Sequence, residues 1–212
     1  MTSLHIPDPA ERDDLGAFTA RVVRLDRSAQ VRLCGDGGRV TAWAATPFDV
    51  VATRSVRGTL NPRDVTVAAS GLLTALAVDR SATVDPGSDG GMWLGELPPC
   101  SGWSLVDDVP AAELETLMER GLAVARESAG PLGPPASLLD QTVLTVRDEG
   151  AGQTVNVPLR CLFALSGMGF LGGGESEPGT VRVSATGSWL RLDARFGAVV
   201  RRRLTALPLA VL

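Results

Sequence analysis

The chain has 212 residues and contains twenty arginines but no lysine, no tyrosine and a single histidine, His5. A chain without lysine cannot form a Schiff base or supply a P-loop lysine, and one histidine argues against histidine triads and multi-histidine metal sites. Apolar residues make up 44% of the chain, enough for a core, and the formal charge of −4 does not favour nucleic acid or anionic lipid. The composition therefore predicts a globular α+β protein with no catalytic, cofactor or metal site.

The first 84 residues predict a helix, a β-hairpin and a second helix. Asp8 and Pro9 form an N-cap followed by proline at the first helical position, and apolar residues recur at helical spacing after them. A Gly-Asp-Gly-Gly turn at 35–38 separates two strand-like runs, which is typical of a hairpin. The expected elements are a helix at 9–26, strands at 30–34, 39–46 and 48–56, and a helix at 61–78.

Residues 85–102 are rich in proline and glycine and are the best candidate for a linker. Beyond them, Pro110 begins the clearest helical pattern, which Gly130 and Pro131 end. The expected elements are a strand at 103–106, a helix at 110–129, strands at 142–147 and 153–157, a buried helix at 158–171, and strands at 180–185, 188–194 and 198–203.

These elements predict an α+β fold in which mixed or antiparallel sheets pack against three or four helices. The chain would form two similar-sized subdomains, 1–84 and 103–212, joined by 85–102. Charge is uneven along it: 79–150 carries thirteen acids against four arginines, whereas 151–212 carries seven arginines against three acids. This asymmetry is compatible with attraction between unlike faces, within the chain or between copies.

Three motifs match a functional pattern without its structural context. Residues 167–172 read G-x-G-x-x-G, but a helix-like run precedes them where the dinucleotide fingerprint needs a strand. Asp85, Asp89 and Glu96 have calcium-loop spacing, but the loop lacks a third-position oxygen ligand and an exit helix. Cys34 lies beside arginines, which makes a lowered thiol pKa conceivable. We expect a helix end that runs into a mobile loop, an acidic surface loop and free thiols.

The last strands carry the strongest local signal. In 188–195, Leu190 and Leu192 alternate to one side, so Trp189 and its neighbouring arginines share the other side. Trp and Arg together on a sheet face are typical of interfaces and of nucleic-acid platforms. The pattern predicts a contact surface, paired with the acidic segment of the same chain or a partner. Its candidate residues are Trp189, Arg191, Arg195, Arg201, Arg202 and Arg203.

The segments MGFLGGG (168–174) and GSWLRLDARFG (187–197) resemble those of uncharacterised conserved proteins of high-GC actinobacteria. This resemblance implies no activity. The start reaches proline and acids before any apolar run, and no stretch approaches membrane-helix length, so we expect a cytoplasmic protein without membrane attachment. The leading hypothesis is a non-catalytic protein that acts by association, either as a homo-oligomer or by binding a partner. The alternatives are a nucleic-acid-binding or regulatory module using the Trp/Arg face, and an enzyme built on Asp, Glu, Arg, Ser and Cys.

Overall fold

An eight-stranded antiparallel sheet joins the two halves of the chain in the computed structural model. The structure describes residues 2–78, 81–90, 92–93, 95–128, 130, 134–148, 150, 152–172 and 179–203. The N-terminal half contains β1 (Ser3–His5), α1 (Pro9–Leu25), β2 (Gln30–Asp36), β3 (Arg39–Ala45), β4 (Val51–Arg57), β5 (Thr59–Asn61), β6 (Asp64–Ala68), α2 (Ala69–Val78) and β7 (Thr83–Val84). The C-terminal half contains β8 (Ser104–Pro110), α3 (Ala111–Glu127), α4 (Ala136–Leu139), β9 (Thr142–Arg147), β10 (Thr154–Pro158), α5 (Leu159–Gly167), β11 (Thr180–Ala185), β12 (Trp189–Ala194) and β13 (Gly197–Arg202).

The strand order of the large sheet is β6-β2-β3-β4-β13-β12-β11-β8. Each half contributes a three-strand meander, and the two meanders meet where β4 pairs with β13, with Val51 opposite Val200 and Thr53 opposite Ala198. The outermost strands, β6 and β8, each lead directly into a helix. A three-stranded sheet (β5-β1-β7) and a two-stranded sheet (β10-β9) complete the described strands.

The helices cover one face of the large sheet. The Asp8 side chain accepts a hydrogen bond from the Ala10 amide, capping α1, and α1 buries Leu15, Phe18 and Val22. Helix α1 packs on α2 and β4, whereas α5 packs on α3 and β13. Residues 159–165 of α5 are all buried, as the continuous apolar run predicts.

The two halves also share one core. Phe18 of α1 and Phe170, which follows α5, stack with ring centroids 6.4 Å apart and an interplanar angle of 13°. Gly197, at the start of β13, lies against the Phe170 ring, where a Cβ would be 2.5 Å from Cζ. The two segments that carry the sequence resemblance are therefore in contact, because Phe170 belongs to the first and Gly197 to the second.

The α+β prediction is confirmed, and the large sheet is antiparallel with helices on one face. Five helices are present among the described residues, counting the single turn α4, and the two halves are joined by a common sheet. The predicted helix at 61–78 was wrong over 64–68, which forms β6. The reason is the run Val65-Thr66-Val67, whose β-branched side chains favour a strand and pair with β2. Within the described part of the chain, none of the helices combines the length and apolar character needed to cross a bilayer.

Candidate interaction groove on the outer sheet face

Side chains alternate across β12 as its sequence predicts. Leu190 and Leu192 belong to the core cluster beneath the helices. The opposite face of the sheet, which we call the outer face, receives Arg191 and Asp193, and their cross-strand partners on β13 are Val200 and Ala198. The outer face therefore carries a charged pair on β12 beside the buried Val200 and Ala198 of β13.

Of the six predicted contact residues, Trp189, Arg191 and Arg195 lie at or beside this face. The Trp189 side chain is buried, with 6% of the residue exposed. The Arg191 guanidinium forms a two-pronged ion pair with Asp193 and lies 5.9 Å from the centroid of the Trp103 ring. The Arg195 guanidinium lies 5.5 Å from the ring of Phe196.

The other three predicted residues occupy different positions. The Arg201 side chain is only 12% exposed and contacts carboxylates on the helix side of the sheet. Arg202 pairs with Glu96 of the linker at 2.5 Å. Arg203 donates to the Thr186 carbonyl at 2.9 Å. Arg202 therefore shares the outer face with its cross-strand partner Trp189, whereas Arg201 lies on the helix side with its partner Leu190, because consecutive strand residues point to opposite faces of a sheet.

The linker crosses the outer face. Its Gly90 amide donates to the Thr66 carbonyl of β6, and Glu96 binds Arg202 of β13. Farther along, the Trp103 indole donates to the Pro99 carbonyl at 3.0 Å, which fixes the ring against the linker. The linker is therefore part of the outer surface, and its residues Pro98 and Pro99 border a cavity there.

A groove of about 870 Å³ runs between this linker and the outer face. Trp43 and Thr41 of β3 lie on its sheet side, and Pro98, Pro99 and Trp103 form its linker wall. Its volume is in the range of ligand-binding clefts, roughly 300–1,000 Å³. The groove combines two tryptophans with arginines, the residue types that dominate binding energy at protein interfaces.

The groove also carries four arginines against three aspartates. Arg191 is paired with Asp193, and Arg182 lies 3.3 Å from Asp108. Arg39 and Arg195 also line the groove, and neither has a carboxylate partner among the described residues. The groove therefore has a net charge of +1, with Arg39 and Arg195 outside any ion pair and Asp36 as its one carboxylate that pairs with no arginine among the described residues.

The thiols differ from the sequence-based idea of an activated Cys34. Burial raises the pKa of the Cys34 thiol to about 11; the Asp64 carboxylate adds to the rise and Arg32 opposes it. Arg32 instead forms a two-pronged ion pair with Asp64, and its hydrogen bonds lower the pKa of that carboxyl. Burial likewise raises the pKa of Cys161 to about 12. Both thiols are therefore kept protonated, the opposite of an activated nucleophile.

The calcium-like loop uses its carboxylates for local contacts. Asp85 accepts from the Gly87 amide, Asp89 accepts from the Thr66 amide at 3.3 Å, and Glu96 binds Arg202. Across the residues that the structure describes, no group of three His, Cys, Asp or Glu side chains is placed to hold a metal ion. The G-x-G-x-x-G match follows α5 instead of a strand, as the sequence indicated, and its first carbonyl, that of Gly167, accepts from Arg24.

Sequence reasoning missed an ionic cluster between the halves, in which two arginines with little exposure meet two exposed aspartates. Arg160 of α5 is 7% exposed, donates to the Phe48 carbonyl at 2.8 Å and binds Asp140 at 2.8 Å. Arg201 reaches the same Asp140 oxygen at 3.1 Å and Asp49 at 3.4 Å. No sequence motif marks these residues. The groove residues Arg39, Thr41 and Trp43 could have been found, because they alternate with the buried Val40, Ala42 and Ala44.

The fold is that of bacterial DNA polymerase sliding clamps. A Caulobacter crescentus structure described as pol III beta aligns with TM-score 0.59 and 16% identity over 98% of this chain and 67% of that chain. A Pseudomonas aeruginosa DNA polymerase sliding clamp aligns with TM-score 0.57 and 15% identity over 98% of this chain and 66% of that chain. The DNA polymerase III beta subunit of Thermotoga maritima aligns with TM-score 0.54 and 11% identity over 98% of this chain and 65% of that chain. The chain therefore spans about two thirds of the length of these clamps.

The chain belongs to the family described as Domain of unknown function (DUF8185), whose model matches residues 98–206. Residues 1–95 match a second family, Domain of unknown function (DUF8010). The predicted membership of an uncharacterised family is confirmed. The two matches meet inside the linker. The comparison with curated proteins gives no match.

Proposed function

We propose that the protein is a non-catalytic binding protein that holds a segment of a partner protein in the outer groove. The observation that supports this best is the pairing of Trp43 and Trp103 with the arginines Arg39 and Arg195 in one cleft. Large aromatic rings supply contact area at low entropic cost, and arginine supplies directional hydrogen bonds. Together they suit a ligand that has both an apolar and a charged part.

The charge of the groove favours an acidic segment. Arg39 donates one hydrogen bond to the Ser55 carbonyl at 3.5 Å, and Arg195 stacks on Phe196. Both guanidinium groups therefore keep N–H donors for a ligand. A carboxylate can accept two such donors in a forked arrangement. An extended chain with an apolar side chain between acidic ones therefore matches the groove better than a neutral or basic chain.

The sliding clamps that share this fold are DNA polymerase subunits by description, so a nucleic-acid role is the main alternative. The helical layer does not favour it. Helices α1 to α5 carry seven acidic side chains against six arginines, one of which, Arg160, is buried. Nucleic-acid affinity comes largely from neutralised phosphates, and a layer without excess positive charge neutralises few. The charge distribution supports a protein partner.

The proposal is tested by selecting binders from a displayed library of random 12-residue peptides against the full chain. Selected peptides are then titrated by fluorescence anisotropy against wild type, Trp43→Ala and Arg39→Met. We expect acidic peptides with an apolar residue, and at least about 10-fold weaker binding to each variant, since a hot-spot truncation costs roughly 2 kcal/mol. Arg126→Met, which removes an exposed arginine from α3, is the charge-matched control and should bind as wild type does.

Three results would reject the groove as the binding site. The first is selection of no peptide. The second is equal affinity for wild type and Trp43→Ala, with circular dichroism showing that both are folded. The third is tight, salt-dependent binding to a DNA duplex that exceeds binding to every peptide, which would select the nucleic-acid alternative. Sedimentation of the free chain shows in addition whether a second copy is the partner.

A further inference from the structure

A second, smaller pocket lies at the end of β13, away from the groove. It has a volume of about 220 Å³. Arg201, Arg202 and Arg203 at the end of β13 contribute to its lining, and the strand pair β9–β10 contributes polar side chains. The residues that matter for its chemistry are Arg201, Arg202, Arg203, Thr142, Thr154 and Asn156. A pocket of this size is below the roughly 300 Å³ of sites for drug-sized ligands, so it suits a small ion or a single functional group.

The arginines are held in place before any ligand binds. Arg203 donates one guanidinium nitrogen to the Thr186 carbonyl at 2.9 Å and the other to the Thr154 carbonyl at 3.3 Å. Both partners are neutral, so its full positive charge is uncompensated by any carboxylate among the described residues. Arg201 is fixed by its ion pair with Asp140. Arginines that are already positioned lose little further side-chain entropy when they bind an anion.

The remaining lining offers mainly donors. The Asn156 amide oxygen already accepts from the Thr145 hydroxyl at 3.1 Å, which leaves its NH₂ group for a ligand. The hydroxyls of Thr142 and Thr154 have no hydrogen-bond partner in the described part of the chain. The one carboxylate of the pocket, Asp140, accepts through its Oδ1 from both Arg160 and Arg201. An incoming anion therefore meets donors and a carboxylate whose charge is already balanced.

We propose that this pocket binds a phosphate group, with Arg203 as the principal contact and Asn156 and the two threonines as further donors. A phosphate offers several acceptor oxygens in a compact volume, and its geometry matches the forked hydrogen bonds of arginine. The site is independent of the groove, since Arg39, Arg195 and the two groove tryptophans are not part of it. Inorganic phosphate and a phosphate monoester share this chemistry, and the experiment distinguishes them.

Isothermal titration of the full chain with inorganic phosphate, and separately with glycerol phosphate, tests the proposal in chloride buffer. We expect saturable binding of at least one of them at a single site. Arg203→Met should weaken it about 10-fold or more, because a charged hydrogen-bonding partner is lost. Arg126→Met, which removes an exposed arginine of α3 that lies in neither site, is the matched control and should leave phosphate binding unchanged. A preference for glycerol phosphate identifies a monoester as the ligand, and a preference for inorganic phosphate identifies the free ion.

Several outcomes would overturn the phosphate site. No saturable binding of either compound up to about 20 mM would do so, because a dissociation constant above that corresponds to less than about 2.3 kcal/mol of binding free energy and indicates no built site. Equal binding by wild type and Arg203→Met would place the phosphate elsewhere. Binding of single-stranded DNA through Arg203 without binding of either small phosphate would indicate a nucleic-acid backbone contact instead. Asn156→Asp, which adds a repelling charge with little change of shape, is the second variant if Arg203→Met fails to fold.

Discussion

Gly197→Ala should destabilise the protein by overpacking the contact between its two halves. An added Cβ would lie 2.5, 2.7 and 2.9 Å from three ring atoms of Phe170. Real Cβ contacts are wider, so the ring has to move by about 1 Å to reach the ordinary carbon–carbon separation of roughly 3.5–4.0 Å. Phe170 has no free space for this movement, because it is 1% exposed and stacks on Phe18.

The size of the effect follows from the general cost of overpacking. Extra methyl groups in a packed core cost about 1–3 kcal/mol. In a chain of this length, each kcal/mol lowers the melting midpoint by about 2–4 °C, so we expect a fall of about 6 °C. Thermal unfolding followed by circular dichroism measures it. Gly187→Ala is the matched control, since an added Cβ there meets no atom within 4 Å, and it should melt like wild type.

A double-mutant cycle shows whether the Phe170 ring is responsible. Phe170→Leu shortens the side chain that the new methyl group strikes, so the two changes together should cost less than their sum by at least about 0.5 kcal/mol. The explanation is wrong if Gly197→Ala melts within about 1 °C of wild type. It is also wrong if the two free-energy costs simply add, because additive costs indicate that the two residues do not interact.

Two further predictions concern buried polar groups. Arg160→Met should lower the free energy of unfolding in urea by about 2 kcal/mol, less than the roughly 3–5 kcal/mol for a fully buried pair, because Asp140 is 37% exposed. A loss under about 0.5 kcal/mol would show that the cluster contributes little. For the thiols, Cys34 should react with iodoacetamide at pH 8 at least about 100-fold more slowly in the folded than in the denatured chain, since a pKa of about 11 leaves few thiolates. The reaction rate of Cys34 in the folded chain should rise as the pH approaches 11. Cys161 should be slower still and exposed Cys100 faster, as mass spectrometry of the labelled peptides can measure; similar rates for Cys34 in both states would contradict the pKa shift.

The elements that depend on local sequence were predictable. The Asp8 cap, the 30–45 hairpin and the alternation in β12 follow from hydrogen bonding, turn chemistry and side-chain period, all of which act over a few residues. The failure at 64–68 is also local in origin: helical spacing of apolar residues and a β-branched run give conflicting signals there, and pairing with β2 decides for the strand.

The sites were only partly predictable. The outer-face position of Arg191 follows from alternation, but its partner Trp103 directly follows the linker, and nothing in the sequence places that segment over the sheet. The position of Arg201 on the helix side follows from the register of β13 against β12, which puts it opposite Leu190. A run of three arginines looks like one basic patch in sequence, whereas in the structure Arg201 pairs with Asp140 and Arg202 with Glu96, because neighbouring residues of a strand point to opposite faces.

By itself, then, the sequence determined the class of elements and the buried faces. It also excluded the reaction classes that depend on lysine, tyrosine or several histidines. The tertiary structure decided how the halves join, because β4 and β13 are distant in the chain and pair through backbone hydrogen bonds that carry no sequence signature. The same pairing places the linker across the outer face and the ionic cluster between the halves. Both proposed binding sites arise from this long-range packing, since each one is lined by segments that are far apart in the chain.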